Sequence, residues 1–167
     1  KTHREADRII RAQGNRSGRG RLRSDASPRA TKAPRGLILA TGEDIPRGKS
    51  CRARLFIVEV ADGDIKPGKL SQCQQDAAAG FYAQAMAGFI QWVAKNYDRV
   101  QEQISSRVVE LRTQAYRSKW HSRMPTIISE LMVGLECFFS FAHATGAIAR
   151  DEAPQLRGRC WDALVEA

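Results

Sequence analysis

The residues best suited to chemistry in this 167-residue chain stand at the borders of two short apolar runs. They are Thr41, Glu43, Arg52 and Arg54. The run near 37–41 predicts a strand buried on both faces, and the run near 55–60 predicts a second strand. Ligands of open α/β sheets bind where strands end, and guanidinium groups suit phosphate. The spacing therefore predicts the edge of a phosphate-handling sheet. The alternative is two core strands joined by a solvated basic loop.

The positive charge of the chain is concentrated at its front. Residues 1–54 hold 15 Lys or Arg against 5 Asp or Glu, whereas residues 55–167 hold 12 against 13. Such a basic front third predicts a polyanionic partner, for which nucleic acid is the default candidate. The balanced remainder is typical of an ordinary packed domain.

A basic segment precedes the first apolar run. If it is extended, a period of two places every second residue on one face, and Asp25-Ala26-Ser27-Pro28 would turn the chain back. We therefore predict a short basic β-hairpin near residues 19–32, with a disordered basic linker as the alternative. The candidate phosphate contacts are Arg19, Arg21, Arg23, Arg29 and Lys32.

Helical periodicity dominates the chain from residue 63 onward. Apolar residues recur there at spacings of three and four, which predicts helices that bury one face. The predicted helices cover 70–97, 98–118, 125–146 and a last segment that opens near 151. Short links between them suggest a bundle packed beside the sheet. A further helix is expected at the N-terminal end of the chain and should end at Gly14 or at the Gly-Asn pair there. The predicted organisation is a sheet-containing part over 1–62 and a helical subdomain over 63–167.

Several kinds of site have no support in the sequence. The four cysteines form no C-x-x-C pair and have no histidine at ligand spacing, so no metal site is predicted. Scattered cysteines are typical of free thiols in a reducing cytoplasm, which is the expected location. The apolar region 77–94 is interrupted by Gln84 and Gln91, which favours a buried helix over a membrane span. No membrane partner is expected.

Five short motifs between residues 5 and 60 together resemble one known family. They are Ala12-Gln13-Gly14-Asn15, Gly18-Arg19-Gly20-Arg21, Pro34-Arg35-Gly36-Leu37, Ala40-Thr41-Gly42-Glu43-Asp44 and Arg52-Ala53-Arg54. In this combination the chain resembles the second half of P-loop ATPases of the AAA+ and superfamily-3 helicase kind. Within that kind, the motifs resemble the helicase-like family called domain of unknown function 927. Its members often accompany primase-polymerase modules.

The resemblance implies roles for the residues named above. It implies that Thr41 senses the γ-phosphate, that Glu43 positions a partner, and that Arg52 and Arg54 act as fingers toward a neighbouring subunit's nucleotide. It further implies a homo-oligomer, ATP and Mg²⁺ in the intact protein, and a basic hairpin that touches DNA. The implied function is an ATP-dependent, helicase-like motor used in replication or priming of bacterial or mobile-element DNA, with a possible primase-polymerase partner.

One departure from the family limits the scope of this interpretation. The sequence contains no G-x-x-x-x-G-K-[ST], the motif that grips phosphate and Mg²⁺. The chain is therefore expected to be a C-terminal fragment, inactive alone, with its Walker motifs upstream of Lys1. Two other functions stay open. One is a non-enzymatic nucleic-acid-binding helical module with a basic N-terminal arm, and the other is a helical interaction domain kept soluble by its basic front.

Overall fold

The computed structural model describes residues 2–18, 20–116 and 120–167. Within these ranges the chain forms seven helices and no β-strand. In chain order they are α1 (Thr2–Gly14), α2 (Lys49–Arg52), α3 (Pro67–Ala78), α4 (Phe81–Lys95), α5 (Tyr97–Ala115), α6 (Met124–Ala144) and α7 (Glu152–Glu166). The chain divides into two compact units, Lys1–Phe56 and Ile57–Ala167.

The predicted α/β fold is wrong. The runs near 37–41 and 55–60 are irregular, and no strand pairs with either of them in the described part of the chain. Leu37 is 83% exposed and Leu39 is 92% exposed, whereas a strand of a parallel sheet is covered on both faces. An extended run forms a strand only when a second strand pairs with its backbone groups, whereas an exposed run can bond water instead. No P-loop sheet is therefore present among the described residues.

The β-hairpin predicted near 19–32 is reduced to a turn closed by one antiparallel bridge, between Leu22 and Pro28. The backbone N–H of Arg29 donates to the carbonyl of Arg21 at 2.8 Å, and that of Arg23 donates to Ser27 at 2.9 Å. Leu22 is 66% exposed, so no apolar face holds the two sides together beyond the bridge.

The first unit is built around α1 and the short α2. Cys51 is fully buried and Ala53 is nearly so. Helix α1 ends at Gly14, as predicted. A Cβ atom at Gly14 would lie 2.7 Å from Cδ of Arg54, so glycine is what allows the two segments to approach this closely.

The second unit has its core between α5, α6 and α7. Leu111 of α5 packs there with Met132 and Val133 of α6, and the partly buried Trp161 and Leu164 of α7 cover them. Each of these helices presents an apolar stripe to the others, as the periodicity predicted. The predicted boundaries also hold closely, with Pro125 in the first turn of α6 and the left-handed Gly146 just after its end.

The single helix predicted over 70–97 is instead the pair α3 and α4. Gly80 interrupts it with a φ of 82°, a left-handed conformation that reverses the chain between the two helices. Neither α3 nor α4 contains a buried residue. Phe89 of α4 contacts Phe138 and Phe141 of α6, with ring centroids 5.3 and 5.7 Å apart.

Helix α6 is long and apolar enough to cross a membrane, and it is the one helix of the described ranges of which this is true. Length and composition are weak evidence for a span, because the core helix of a folded bundle has the same two properties. Helix α6 also packs against both α5 and α7. The expectation of no membrane partner stays a prediction.

Candidate nucleic-acid interface

Three of the candidate phosphate contacts, Arg21, Arg23 and Arg29, lie in the turn over residues 21–29, which we call the basic turn. Asp25 holds it from within, since Oδ1 accepts hydrogen bonds from the Ser27 hydroxyl at 2.6 Å and the Ser27 N–H at 2.9 Å. These two bonds hold the pKa of the Asp25 carboxyl below its ordinary value. The exposed Asp25 carboxylate thus makes its bonds within the turn, to Ser27.

The pairing pattern decides where the arginines of the basic turn lie. Residues of paired extended segments alternate between two sides. With Leu22 and Pro28 paired, Arg21 and Arg29 oppose each other on the other side, and Arg23 lies on that same side. Like charges directly opposite each other are unfavourable. The basic turn thus concentrates positive charge. A bound anion would reduce the repulsion between its guanidinium groups.

The cationic groups of this region are open to solvent. Arg21, Arg23, Arg29 and Lys32 are all exposed, and within the described residues none of the four has an acidic partner. The fifth candidate contact, Arg19, lies outside the described residues. These four cations are therefore accessible to phosphate groups.

A groove of about 340 Å³ lies between α1 and the segment that follows the basic turn, within the first unit. Its walls include the apolar side chains of Ile9 and Ile38 and the cationic side chains of Arg8 and Lys32. The groove extends the cationic surface from the basic turn toward α1.

The four residues predicted for a nucleotide site have different surroundings. Thr41 and Glu43 are exposed in an irregular segment, and Arg52 is exposed on α2. Because no sheet edge forms among the described residues, nothing there gathers these side chains into one site. Their nucleotide roles stay predictions, as do ATP and Mg²⁺ in the intact protein.

Arg54 links the end of α1 to α2 through its side-chain hydrogen bonds. Its Nη2 donates to Oδ1 of Asn15 at 2.8 Å, just after α1, and its Nη1 donates to the Ser50 hydroxyl at 2.8 Å, on α2. Nη1 also donates to the Ser50 carbonyl. A guanidinium with this many intramolecular acceptors has few donors left for a ligand.

Cys51 has no features of a nucleophile. Its thiol is enclosed beside Asp7, which is held by Arg11 through bonds of 2.8 and 2.9 Å. Burial, followed by the hydrogen bond to Asp7, raises the pKa of the Cys51 thiol. Cys51 thus stays protonated at neutral pH and serves packing. Across the described residues, no group of three His, Cys, Asp or Glu side chains is placed to hold a metal ion.

Sequence reasoning missed the ion pairs that join the helices of the second unit. Glu136 of α6 receives two hydrogen bonds of 2.8 Å from Arg107 of α5, and its Oε1 also lies 2.7 Å from Nε of Arg157 on α7. Arg107 further bonds Glu110 at 2.6 Å. The available signal was Glu136 itself, a single acid among apolar residues at 131–139. A charge in that position needs a partner.

No protein-family model, curated protein or solved structure matches the chain. The resemblance to helicase-like P-loop ATPases thus stays a prediction, and the sheet that it implies is missing from the described residues. Functional inference depends on the charge and geometry of the chain itself.

Proposed function

We propose that the protein binds nucleic acid through its basic front unit and performs no enzymatic chemistry of its own in doing so. The observation that carries this proposal is the basic turn, in which Arg21 and Arg29 face each other across a backbone pair while the neighbouring acid, Asp25, bonds Ser27. A polyanion that approaches this side relieves the repulsion between the two guanidinium groups.

Charge supports the same proposal on a larger scale. The first unit holds all of the excess positive charge, since residues 1–54 have 15 basic against 5 acidic side chains. Phosphate contacts from Lys and Arg release condensed counterions, and this release supplies most of the affinity in binding that does not depend on base sequence. The second unit, with balanced charge, contributes little to this term.

The composition of residues 1–54 also indicates which part of the nucleic acid is contacted. Residues 1–54 contain no Phe, Tyr or Trp, so base stacking on aromatic rings is not available there. Arginine and lysine contacts to phosphate position a protein without reading base sequence. The expected ligand is therefore the phosphate backbone, and duplex DNA, with its higher charge density, is the first choice as a probe.

The test is the salt dependence of binding to a fluorescent DNA duplex, measured by anisotropy with the full chain. Arg21→Ala together with Arg29→Ala should weaken binding and reduce the slope of log K against log salt concentration by about 2, since about 0.9 is lost per phosphate contact. Arg21→Lys with Arg29→Lys should keep most of the slope.

The matched control removes the same charge from the second unit. Arg112→Ala with Arg159→Ala changes two exposed arginines there and should leave the slope unchanged. Equal slopes for the two alanine pairs would reject the basic turn as the interface. Undetectable binding by the unmodified protein at low salt would reject the function.

A further inference from the structure

Ser24 is an accessible hydroxyl residue within the basic turn. The backbone N–H of Ala26 donates to the carbonyl of Arg23 at 3.1 Å, so Ser24 is the second residue of a four-residue turn. Its side chain is exposed, and its hydroxyl makes no hydrogen bond to any residue that the structure describes. The nearby Ser27 is half-buried, and its hydroxyl donates to Oδ1 of Asp25 at 2.6 Å. Of the two hydroxyls, that of Ser24 is the one that a modifying enzyme can reach.

The arginines before Ser24 have the spacing that basic-directed protein kinases recognise. Kinases select their substrates by the charge pattern around the target hydroxyl, and these enzymes bind an arginine at the third position before it. Three hydroxyl residues of the chain meet this requirement, namely Ser24 after Arg21, Ser50 after Arg47 and Thr126 after Arg123. The spacing alone does not choose among the three.

The structure separates Ser24 from the other two matches. The Ser50 hydroxyl lies on α2 and receives hydrogen bonds from Nη1 of Arg54 at 2.8 Å and Nη1 of Arg11 at 3.3 Å. Thr126 is half-buried in the first turn of α6. Protein kinases bind the residues around the target hydroxyl in an extended conformation, so access to Ser50 or Thr126 requires part of a helix to unfold.

The basic turn can extend at a much lower free-energy cost. One bridge, between Leu22 and Pro28, closes it, and Leu22 is already 66% exposed. Segments with few buried contacts and solvent-exposed backbone hydrogen bonds open more easily than packed helices. Ser24 is therefore the match that a kinase can bind without disturbing the buried residues of either unit.

A phosphate on Ser24 would cancel the charge of the basic turn. Residues 21–29 hold three arginines and one aspartate, which is a net charge of +2. A serine phosphate adds about −1.5 to −2 at neutral pH, together with three strong acceptor oxygens. The arginines of the basic turn are the groups proposed to contact nucleic acid. A phosphate attached to the turn itself would compete for the same donors.

We propose that Ser24 is a phosphorylation site and that its phosphate blocks nucleic-acid binding by the basic turn. The γ-phosphoryl group of ATP passes to Oγ of Ser24. The new P–O bond forms as the bond to the ADP oxygen breaks, and the hydroxyl proton passes to a base of the kinase. The blocking effect rests on the proposed function, whereas the assignment of the modification site does not.

The first test is the reaction of the full chain with Mg²⁺, ATP and the catalytic subunit of cyclic-AMP-dependent protein kinase, a basic-directed enzyme. Mass spectrometry should show the gain of one phosphoryl group. Ser24→Ala should prevent this gain, and Ser50→Ala, the control with the same arginine spacing, should not. A chain that is not modified, or a Ser24→Ala variant that is modified to the same extent, would overturn the assignment of the site.

The second test does not depend on the choice of kinase, because phosphoserine is placed at position 24 during synthesis of the full chain. Binding to the fluorescent duplex should weaken by at least about tenfold, and the slope of log K against log salt concentration should fall by about 2, since about 0.9 is lost per phosphate contact. Phosphoserine at position 71 is the matched control, because Ser71 is exposed on α3 and the added charge lies in the second unit. It should leave the slope unchanged.

The outcomes separate this inference from the proposed function. If the unmodified chain binds the duplex and phosphoserine at position 24 changes nothing, the blocking effect is wrong and nucleic-acid binding stands. Equal losses from positions 24 and 71 would also reject it, since the effect would then come from net charge alone. If the unmodified chain does not bind at low salt, the proposed function is wrong and the blocking effect is wrong with it, while mass spectrometry still decides the site.

Discussion

Each of the two units of this protein is stabilised by a different kind of interaction. The second unit has an apolar core of Leu111, Met132 and Val133, with a shared carboxylate, Glu136, between three helices. The first unit buries mainly Cys51 and Ala53, and its shape comes from side-chain hydrogen bonds and turns.

This difference follows from composition. The first unit has too few clustered apolar residues to enclose a core, so its cations stay solvated and accessible. The second unit has helical periodicity and balanced charge, so it folds by burying one face of each helix. An accessible cationic surface requires many exposed charged residues, whereas a packed core requires many buried apolar residues. In this chain the two kinds of residue are concentrated in separate units.

The largest expected change in the free energy of unfolding comes from removing buried apolar atoms, which shows in which unit the apolar stabilisation lies. Met132→Ala empties a fully buried position in the core of the second unit and should lower the free energy of unfolding by about 2–5 kcal/mol. Leu39→Ala also removes apolar atoms, but in the first unit and at a 92% exposed position, so a change within about 0.5 kcal/mol is expected. Urea denaturation followed by circular dichroism measures both. Similar losses for the two variants would contradict the contrast between the units.

A smaller effect is expected at the carboxylate shared by the three helices. Glu136→Gln weakens its bonds to Arg107 and Arg157 in a mostly buried setting and should cost about 1–2 kcal/mol. Glu110→Gln is the control, because Glu110 bonds the same Arg107 at a 58% exposed position. Its expected cost is below about 0.5 kcal/mol. The same urea titration applies, and an equal cost for both would show that burial of Glu136 is irrelevant.

The smallest effect concerns a single turn of the first unit. The Ser27 side-chain and backbone bonds lower the pKa of Asp25, so they stabilise the basic turn at pH above the ordinary 3.8. This contribution is lost as the pH falls through the lower pKa of the folded turn. Ser27→Ala should move the Asp25 pKa, followed by NMR titration, back toward 3.8. Ser24→Ala should leave the pKa unchanged, and an unmoved pKa in Ser27→Ala would show that the turn is not held by this residue.

The sequence was sufficient for most of the second unit. Spacings of three and four predicted the helices, while Pro125 and Gly146 marked the limits of α6. These signals are local, since the chemistry of each end is set by residues within one turn. The break at Gly80 was missed because the apolar pattern continues across it, and the conformation of a glycine is not visible in periodicity.

The apolar runs near 37–41 and 55–60 show why the same reasoning failed in the first unit. A helix satisfies its backbone within its own segment, whereas a strand requires a partner that may come from anywhere in the chain. Periodicity cannot say whether that partner exists. The sheet was inferred from runs that turn out to be irregular and exposed.

By itself, the sequence determined the charge division between front and remainder, the helical nature of the second unit and most of its helix ends, all of which depend on composition or on near neighbours. Tertiary structure alone decided which residues meet across long separations. Arg54 meets Asn15, and Glu136 meets both Arg107 and Arg157. These outcomes depend on how whole segments pack against each other, and no local pattern of residues specifies that packing.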